Sequence, residues 1–572
     1  VNAVPSVGIA DGATFDVVIV GGGSAGCVLA SRLSEDPSTS VLLIEAGEDM
    51  PPGQVHPDIL SSFPLATFRG DKWLWPGLRV RPAAGRAPVP YEQGRVLGGG
   101  STVNAQAANR GLPRDYDDWC ASGAAGWGWD DVLPYFRKLE RDLDFGGPLH
   151  GDAGPIPVRR IPQGQWNGFS LALRKAYLNA GFGELRDQNG EFGDGFFSPA
   201  ISNEDDHRVT AAMAYLDANV RRRKNLQILT GHRVDRIAFD DRVATSAQVS
   251  YGARPVFSVR GRRFVLTAGA LHTPALLLRS GVGPAEELLP LGAQMVANVP
   301  GIGRRLQDHP GIALCQYLPR GFRAPAPPVR ASLLGLRYSS GFGASENSDM
   351  YVASSGRAAW HAMGARLATY FLWCNRPYAR GQVRLTSMDP NVAPEVDLNL
   401  LGDERDALRM ADGVHRLAGI AQSMPFAHLG GAMPLALSPR AKALSRITPS
   451  NAALAQVAAT VVDAAGRLRP LLLRHAVNGG WSIRELLTSS EAMQKFLRAQ
   501  TFGMWHVSGT CKMGHPDSPD TVADAHGKVV ALANVWVADA SVIPTLPSAN
   551  TNLPVLMVAE KISDGLRKLA MS

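Results

Sequence analysis

Residues 16–26 read Asp-Val-Val-Ile-Val-Gly-Gly-Gly-Ser-Ala-Gly, and Glu45 closes the next apolar run. Gly21, Gly23 and Gly26 have the spacing of a dinucleotide-binding turn. Gly21 permits a tight turn out of a strand, Gly23 lets the main chain approach a pyrophosphate, and Gly26 lets the following helix pack closely on the strand. That helix, beginning near Ser24 with Ala25 in its first turn, offers free N–H groups and a partial positive charge to phosphates. A carboxylate at Glu45 can accept hydrogen bonds from both hydroxyls of an adenosine ribose, and an acid there argues against a 2′-phosphate. These residues imply a bound dinucleotide and leave NAD and FAD both open.

The elements that must hold this turn are legible nearby. Val17 to Val20 is a continuous β-branched run, the pattern of a strand buried on both faces, and Val41 to Ile44 reads as its neighbour. This unit is too small to stand alone. Further strands for its sheet come later, at Phe264 to Ala270, which runs into a helical segment at 274–279, and at Val535 to Asp539. Between them, residues 311–345 are rich in Pro, Gly and Arg and read as irregular. Short alternating strands follow at Leu367 to Trp373 and Gln382 to Leu385. Helical periodicity appears at 403–422, 486–499 and Leu553 to Lys568. The expected fold class is α/β (α+β): a Rossmann-like nucleotide domain carrying a discontinuous substrate domain built on a β-sheet with flanking helices.

Composition narrows the function classes. The chain has 572 residues, 45% hydrophobic and 19% charged, ordinary for a globular protein and too long for one core. Net charge is only +7, and the densest basic run, Arg221 to Lys224, reads as a solvated turn before the strand at Leu226, so nucleic acid is not an expected partner. Five cysteines without C-x-x-C spacing argue against a disulfide framework or a structural zinc, and no His/carboxylate group has metal-ligand spacing. A reducing compartment fits best. Residues 1–14 read as a loose extension without the features of a signal peptide, and no apolar run is long enough to span a membrane.

Six separated segments then resemble the glucose-methanol-choline (GMC) oxidoreductase family, in its order. They are the N-terminal turn; Gly94-Arg-Val-Leu-Gly-Gly-Gly-Ser-Thr-Val-Asn104; the segment from Gly269 to Gly283; Gly301-Ile-Gly-Arg-Arg-Leu-Gln-Asp-His309; Trp505-His-Val-Ser-Gly-Thr-Cys-Lys-Met-Gly514; and the segment from Asp539 to Pro554. Tyr91-Glu-Gln-Gly-Arg, Asn109-Arg-Gly-Leu-Pro-Arg-Asp-Tyr-Asp, Pro148-Leu-His-Gly and Ala549-Asn-Thr-Asn-Leu-Pro554 resemble, more narrowly, its bacterial oxidases of aryl and furfuryl alcohols. The resemblance implies FAD, bound without a covalent link because residues 94–106 contain neither His nor Cys. It places the adenosine at Glu45 and Ala46, with Val234 against the adenine. Arg95, Gly99, Gly100 and Asn104 fall on the loop that passes the flavin, Asp539 and Ala540 beside the ribityl and pyrophosphate part, and Ala268 and Asn552 also in the cofactor site. Domain segments follow: 1–155, 206–310 and 501–572 for FAD, 156–205 and 311–500 for substrate. A bacterial cytoplasmic enzyme is implied, acting on a small-molecule alcohol with O2 or another electron acceptor.

The resemblance also assigns the chemistry. Alcohol oxidation removes a proton from the hydroxyl and a hydride from the carbon. His506 takes the place of the base, an imidazole suited to neutral pH. Asn550 takes the family's second position, where an amide can hold the substrate oxygen but cannot act as a base. Trp505, Tyr370 and Phe371 are expected pocket walls. His272, His309, His361 and His515 read as surface or structural. The helix beginning near Asn552 would direct its dipole at the flavin pyrimidine edge. The first reading is therefore an alcohol oxidase, acting also on hydrated aldehydes and giving hydrogen peroxide. A dehydrogenase with a quinone-type acceptor is the alternative. A hydroxynitrile lyase and a photodecarboxylase rank lower, the latter because Asn375, with Cys374 one place away, stands where that subfamily carries its cysteine.

Overall fold

The computed structural model describes residues 9–252, 254–324, 333–342, 347–436 and 439–571. Strand β1 (Thr14–Val20) turns at Gly21 into helix α1 (Ser24–Leu33), which returns to strand β2 (Val41–Ile44). Gly21 sits at φ +106°, and a Cβ on Gly26 would lie 2.0 Å from the Gly21 carbonyl oxygen, so helix and strand approach this closely only without side chains. Strand β3 (Leu226–Leu229) pairs with β2. Strands β4 (His232–Asp240), β5 (Val243–Tyr251) and β6 (Arg254–Leu266) form an antiparallel meander. Beyond Val259, β6 enters the parallel sheet between β1 and the C-terminal strand Val535–Val537. The parallel order is thus β3-β2-β1-β6 followed by that C-terminal strand. Helix α2 (Gly269–Arg279) follows β6. Two crossovers and a chain that returns after more than 200 residues make this the doubly wound half anticipated from residues 16–45.

The second sheet is antiparallel. It contains β7 (Pro310–Tyr317), β8 (Leu334–Tyr338), β9 (Met350–Ser355) and β10 (Leu367–Cys374), in the order β7-β10-β9-β8. The reading of 311–345 as irregular is corrected here: β7 after its first residue and all of β8 lie within it, and residues 325–332 and 343–345 of it lie outside the described residues. Both strands are buried along their whole length, so they lack the apolar/polar alternation that marks a half-exposed strand. Helix α3 (Glu404–Gln422) covers one face of this sheet with Met410, Val414 and Leu417. Residues 1–8 of the N-terminal extension also lie outside the described residues. Helix α4 (Asn552–Met571) brings the C-terminus back onto α1, where Arg32 forms a bidentate pair with buried Glu560. No described helix is long and apolar enough to cross a membrane. All five cysteines are free.

A third, smaller sheet carries a buried charge cluster. Its strands include 140–142 and 156–159. Glu140, Asp142 and Asp187 face Arg110, Arg160 and His150, and every one of these side chains is buried. His150 Nε2 lies 2.8 Å from Asp187 Oδ2, and its Nδ1 lies 3.1 Å from Asp142 Oδ2 and 3.2 Å from Glu140 Oε1. Burial opposes a charge on His150, but hydrogen bonds to these three carboxylates push its pKa up to about 10. Three cations against three anions leave no charge for a metal to balance, although Glu140, Asp142 and His150 are close enough to hold one.

The sign of the pH dependence follows. A histidine whose folded pKa is raised contributes stability that is complete below its unfolded pKa, near 6.5, and that disappears as pH rises through about 10. His150→Phe is therefore expected to lower the melting temperature most below pH 6.5 and progressively less toward pH 10. An unchanging difference across that range would contradict a protonated His150.

Candidate active site

The turn at 21–26 is built to receive an anion. Gly23 is the N-cap of α1 and supplies no side-chain cap, so the first amides of that helix have no side-chain partner from it. A Cβ on Gly23 would meet only the Thr267 carbonyl, at 3.8 Å, whereas Gly21, Gly22 and Gly26 are packed against protein. The N-terminus of α4 converges on the same place: Ser24 Oγ donates to Asn552 Oδ1 at 2.9 Å. Two helix N-termini without acidic residues in their first turns thus point positive ends at one region. Glu45 Oε2 accepts from Gly22 N and Oε1 from Gly47 N, both at 2.7 Å, which orients the carboxylate at the end of β2. Burial raises its pKa to about 7, against those two amides.

The other expected cofactor residues surround this anchor. Ala46 and Arg95 line a cleft of ≈ 440 Å³ with Gly47, Gly231 and Tyr251, outside the carboxyl ends of β2 and β3. Arg95 Nε donates to the Ala46 carbonyl, and its guanidinium lies over Trp75. Gly99, at φ +53°, brings the loop against the turn: a Cβ there would lie 2.7 Å from Gly23 Cα. Gly100 faces open space. Asn104 Oδ1 accepts from Gln106 N and from Arg208, so its carbonyl end is used internally. Val234 sits half-buried on β4. Ala268 N donates to Thr273 Oγ1. Asp539 accepts from Gly269 N, Thr273 Oγ1, Ser541 N and Ser541 Oγ. Its carboxylate fastens the start of α2 to the segment that carries Ala540, rather than standing open to a ligand.

His506 and Asn550, 44 residues apart in sequence, meet directly: Asn550 Nδ2 lies 2.9 Å from His506 Nε2. The structure adds a third group that the sequence reading set aside as surface or structural. His309, fully buried, places Nδ1 2.9 Å from His506 Nδ1, and its Nε2 lies 2.9 Å from the main-chain carbonyl of Asn375. A carbonyl only accepts, so His309 Nε2 carries its proton and His309 Nδ1 presents a lone pair. The proton between the two Nδ1 atoms then belongs to His506. His506 Nε2 is left with its lone pair, facing the Asn550 amide, which donates to it. Burial holds both rings neutral: it brings His506 down to about 3, and, with His506 beside it, holds His309 well below the usual imidazole value.

The neighbouring residue completes the frame. Asp308 Oδ1 accepts from His506 N at 2.9 Å, and Oδ2 accepts from the Tyr91 hydroxyl at 2.6 Å. One dipeptide, Asp308-His309, thereby holds both the backbone and the ring of His506. The signal was in the sequence, since Gly301 to His309 is one of the six segments, but no role accompanied it. Trp505 sits at φ +60°, an unusual backbone for an aromatic residue that costs of order 1–3 kcal/mol. It is held by its indole N–H to Glu92 Oε2 at 3.0 Å and flanked by Tyr91 and Phe502. It is 39% exposed, although it adjoins the buried His506 in the chain.

The two β10 residues named as pocket walls cannot both face the site, because strand side chains alternate. Tyr370 is corrected to the helix-facing core: its hydroxyl donates to Gln316 and its ring meets Phe169. Phe371 lies on the opposite face, against Phe502 and with Met504. Trp373, at the end of the same aromatic strand and not named as a pocket wall, has its ring centroid 6.3 Å from that of His506 and 6.4 Å from that of His309. Cys374 faces away, 3.8 Å from the Asp406 carbonyl. His272 is half-buried in a stack on Trp75, 4.2 Å between centroids. Arg221, from the basic run, pairs with Asp49.

A doubly wound dinucleotide domain joined to a His–Asn pair with a buried imidazole defines a dinucleotide-dependent oxidoreductase. Comparison with known proteins specifies the class. The GMC oxidoreductase family models match residues 15–311 and 377–559, and the chain belongs to that family, whose cofactor FAD fits the seat formed by α1, α4 and Glu45. It is 41% identical over 563 residues to the 5-(hydroxymethyl)furfural oxidase of Methylovorus sp. (strain MP688), covering 96% of this chain and 98% of that protein. It is 30% identical to an oxygen-dependent choline dehydrogenase of Burkholderia pseudomallei (strain 1710b), over 97% and 94% of the two chains. Among solved structures, pyridoxine 4-oxidase from Mesorbium loti superposes with a TM-score of 0.79 at 30% identity, covering 97% of this chain and 99% of that one.

The proton arrangement has a direct consequence. His309→Phe keeps an aromatic ring at this position and removes the acceptor that fixes the His506 tautomer. The variant is expected to retain FAD and to be reduced by alcohol about 10²-fold more slowly, the low end of a general base's contribution. Reduction at the native rate would show that His309 does not set the tautomer.

Proposed function

We propose that this chain is an alcohol oxidase acting on primary aryl or furfuryl alcohols, with His506 as base and Asn550 as the group that holds the substrate oxygen. The observation that carries this reading is the pair of facing atoms, the His506 Nε2 lone pair and the Asn550 amide, 2.9 Å apart. An oxygen at hydrogen-bond distance from both makes a near-equilateral triangle with them. A hydroxyl entering there displaces the Asn550 amide from the one Nε2 lone pair, donates its proton to His506 Nε2 and accepts from Asn550 Nδ2 in turn. As the proton leaves, the amide stabilises the developing alkoxide by roughly 2–4 kcal/mol. FAD bound in its seat supplies the acceptor for the hydride. The positive ends of α1 and α4 favour anionic charge in that seat, and no His or Cys lies on the 94–106 loop, in keeping with non-covalent attachment.

Phe371, Trp373, Phe502 and Trp505 gather apolar, aromatic surface on the approach to His506, where a flat ring can stack. The 41% identity to the 5-(hydroxymethyl)furfural oxidase supports the same substrate class. Hydrated aldehydes present the same H–C–OH unit to the pair and belong to the reading. Transfer of electrons to a quinone-type acceptor is the second reading, favoured by a relative named as an FAD, quinone glucose dehydrogenase, from Drosophila melanogaster, 30% identical over 96% of this chain and 86% of that protein.

Anaerobic mixing with 5-(hydroxymethyl)furfural or benzyl alcohol is expected to bleach the flavin band, and admission of air to restore it with one hydrogen peroxide per turnover. An unbleached band with both alcohols would overturn the substrate class. Bleaching that air does not reverse would overturn the oxidase in favour of the dehydrogenase.

A further inference from the structure

Three consecutive polar residues, Asp187, Gln188 and Asn189, are buried in a turn that belongs to no helix or strand. Buried polar side chains in irregular structure are retained when their hydrogen bonds specify something. The turn is tightly closed: a Cβ on Gly190 would lie 2.3 Å from Asp187 Oδ2. Asp187 is fixed in the charge cluster, with Oδ2 on His150 and Oδ1 on Arg160 at 2.7 Å. Burial works against its ionisation, but the His150 hydrogen bond and the Arg160 charge hold its carboxyl below the ordinary range.

Asn189 is tied to that anchor, its N–H donating to Asp187 Oδ1 at 3.0 Å. Its side chain brackets a single residue of the neighbouring loop. Nδ2 donates to the Ala108 carbonyl at 3.0 Å, and Oδ1 accepts from Arg110 N at 3.2 Å. The bracketed residue is Asn109, whose Oδ1 accepts from the main-chain N–H of Asn550 at 3.2 Å. Arg110 itself returns to the cluster through Glu140. Gln188 reaches the other half of the site. Its Nε2 donates to the Tyr351 hydroxyl at 3.2 Å, Tyr351 stacks on Trp373 with centroids 4.4 Å apart, and Trp373 Nε1 donates to Asn375 Oδ1 at 3.0 Å. Asn375 is the residue whose carbonyl fixes His309.

We propose that the 187–189 turn is the common anchor of the catalytic pair, with Asn189 and Asn109 as positioning residues for Asn550 and Gln188 as the positioning residue for the His309–His506 couple. This rests on the role of Asn550 given under Proposed function and deepens it. The amide must lie within a few tenths of an ångström of its place to meet the oxygen and the base together. A residue that acts only by holding it should matter only while Asn550 has its side chain. A residue that merely supports the fold should matter in either background.

The test is a double-mutant cycle read as the anaerobic flavin-reduction rate of FAD-loaded protein with benzyl alcohol. Asn109→Ala and Asn189→Ala are each expected to keep the flavin content and to slow reduction by about tenfold or more. Placed on Asn550→Ala, each is expected to slow it by less than about twofold further. Asn109→Ala removes only the last link and decides the matter if Asn189→Ala fails to fold. Equal slowing in both backgrounds would overturn the anchor while leaving Asn550 in its role. Native-rate reduction by Asn550→Ala alone would instead overturn the reading of Asn550, and the anchor with it.

Discussion

The hydrogen bond from His309 Nε2 to the Asn375 carbonyl spans 2.9 Å and is made to a group that can only accept. Everything reactive in the site follows from that one-way contact. It sets the proton on His309, which sets the proton on His506, which leaves a lone pair on the one His506 nitrogen that faces Asn550. Burial removes the competing charged forms, since a cation on either ring would have to be desolvated beside the other. The base proposed here, fixed in this way, needs no carboxylate behind it, and its tautomer is held by main chain, which cannot titrate.

The fold supplies this arrangement through two sheets with separate tasks. The parallel sheet ends its strands at the seat for a dinucleotide and closes it with two helix N-termini, one from the start of the chain and one from its end. The antiparallel sheet supplies Trp373 and the carbonyl of Asn375 from β10 and its continuation, and His309 from the residue before β7. The β7–β10 pairing, with Gly311 opposite Trp373, fixes these groups relative to one another. A slip of one residue would exchange Trp373 for Cys374 beside the two histidines.

How much of this was legible in the sequence depends on the kind of contact. The turn at 21–26 was readable because each glycine answers a local demand of strand, turn and helix. His506 and Asn550 were readable as positions in long matching segments. His309 was passed over, although it stood in such a segment, because what gives it a role is a contact 197 residues away. Tyr370 was misplaced because an aromatic run on a strand does not say which parity faces the ligand until the sheet's two covers are known. Strands β7 and β8 were missed because a strand buried on both sides has no alternation, and the proline and glycine around it read as loop. The 187–189 turn gave no signal, since three polar residues in a coil look solvated until the structure buries them.

The central claim, that His506 is a neutral imidazole protonated at Nδ1 with its lone pair at Nε2, is tested most directly by the ring-nitrogen chemical shifts of ¹⁵N-histidine-labelled protein, assigned by comparison with His506→Gln. The account predicts that the His506 Nδ1 signal is of the protonated, pyrrole type and that Nε2 is of the unprotonated, pyridine type at neutral pH. A protonated Nε2, whether in the opposite tautomer or in an imidazolium, would contradict it.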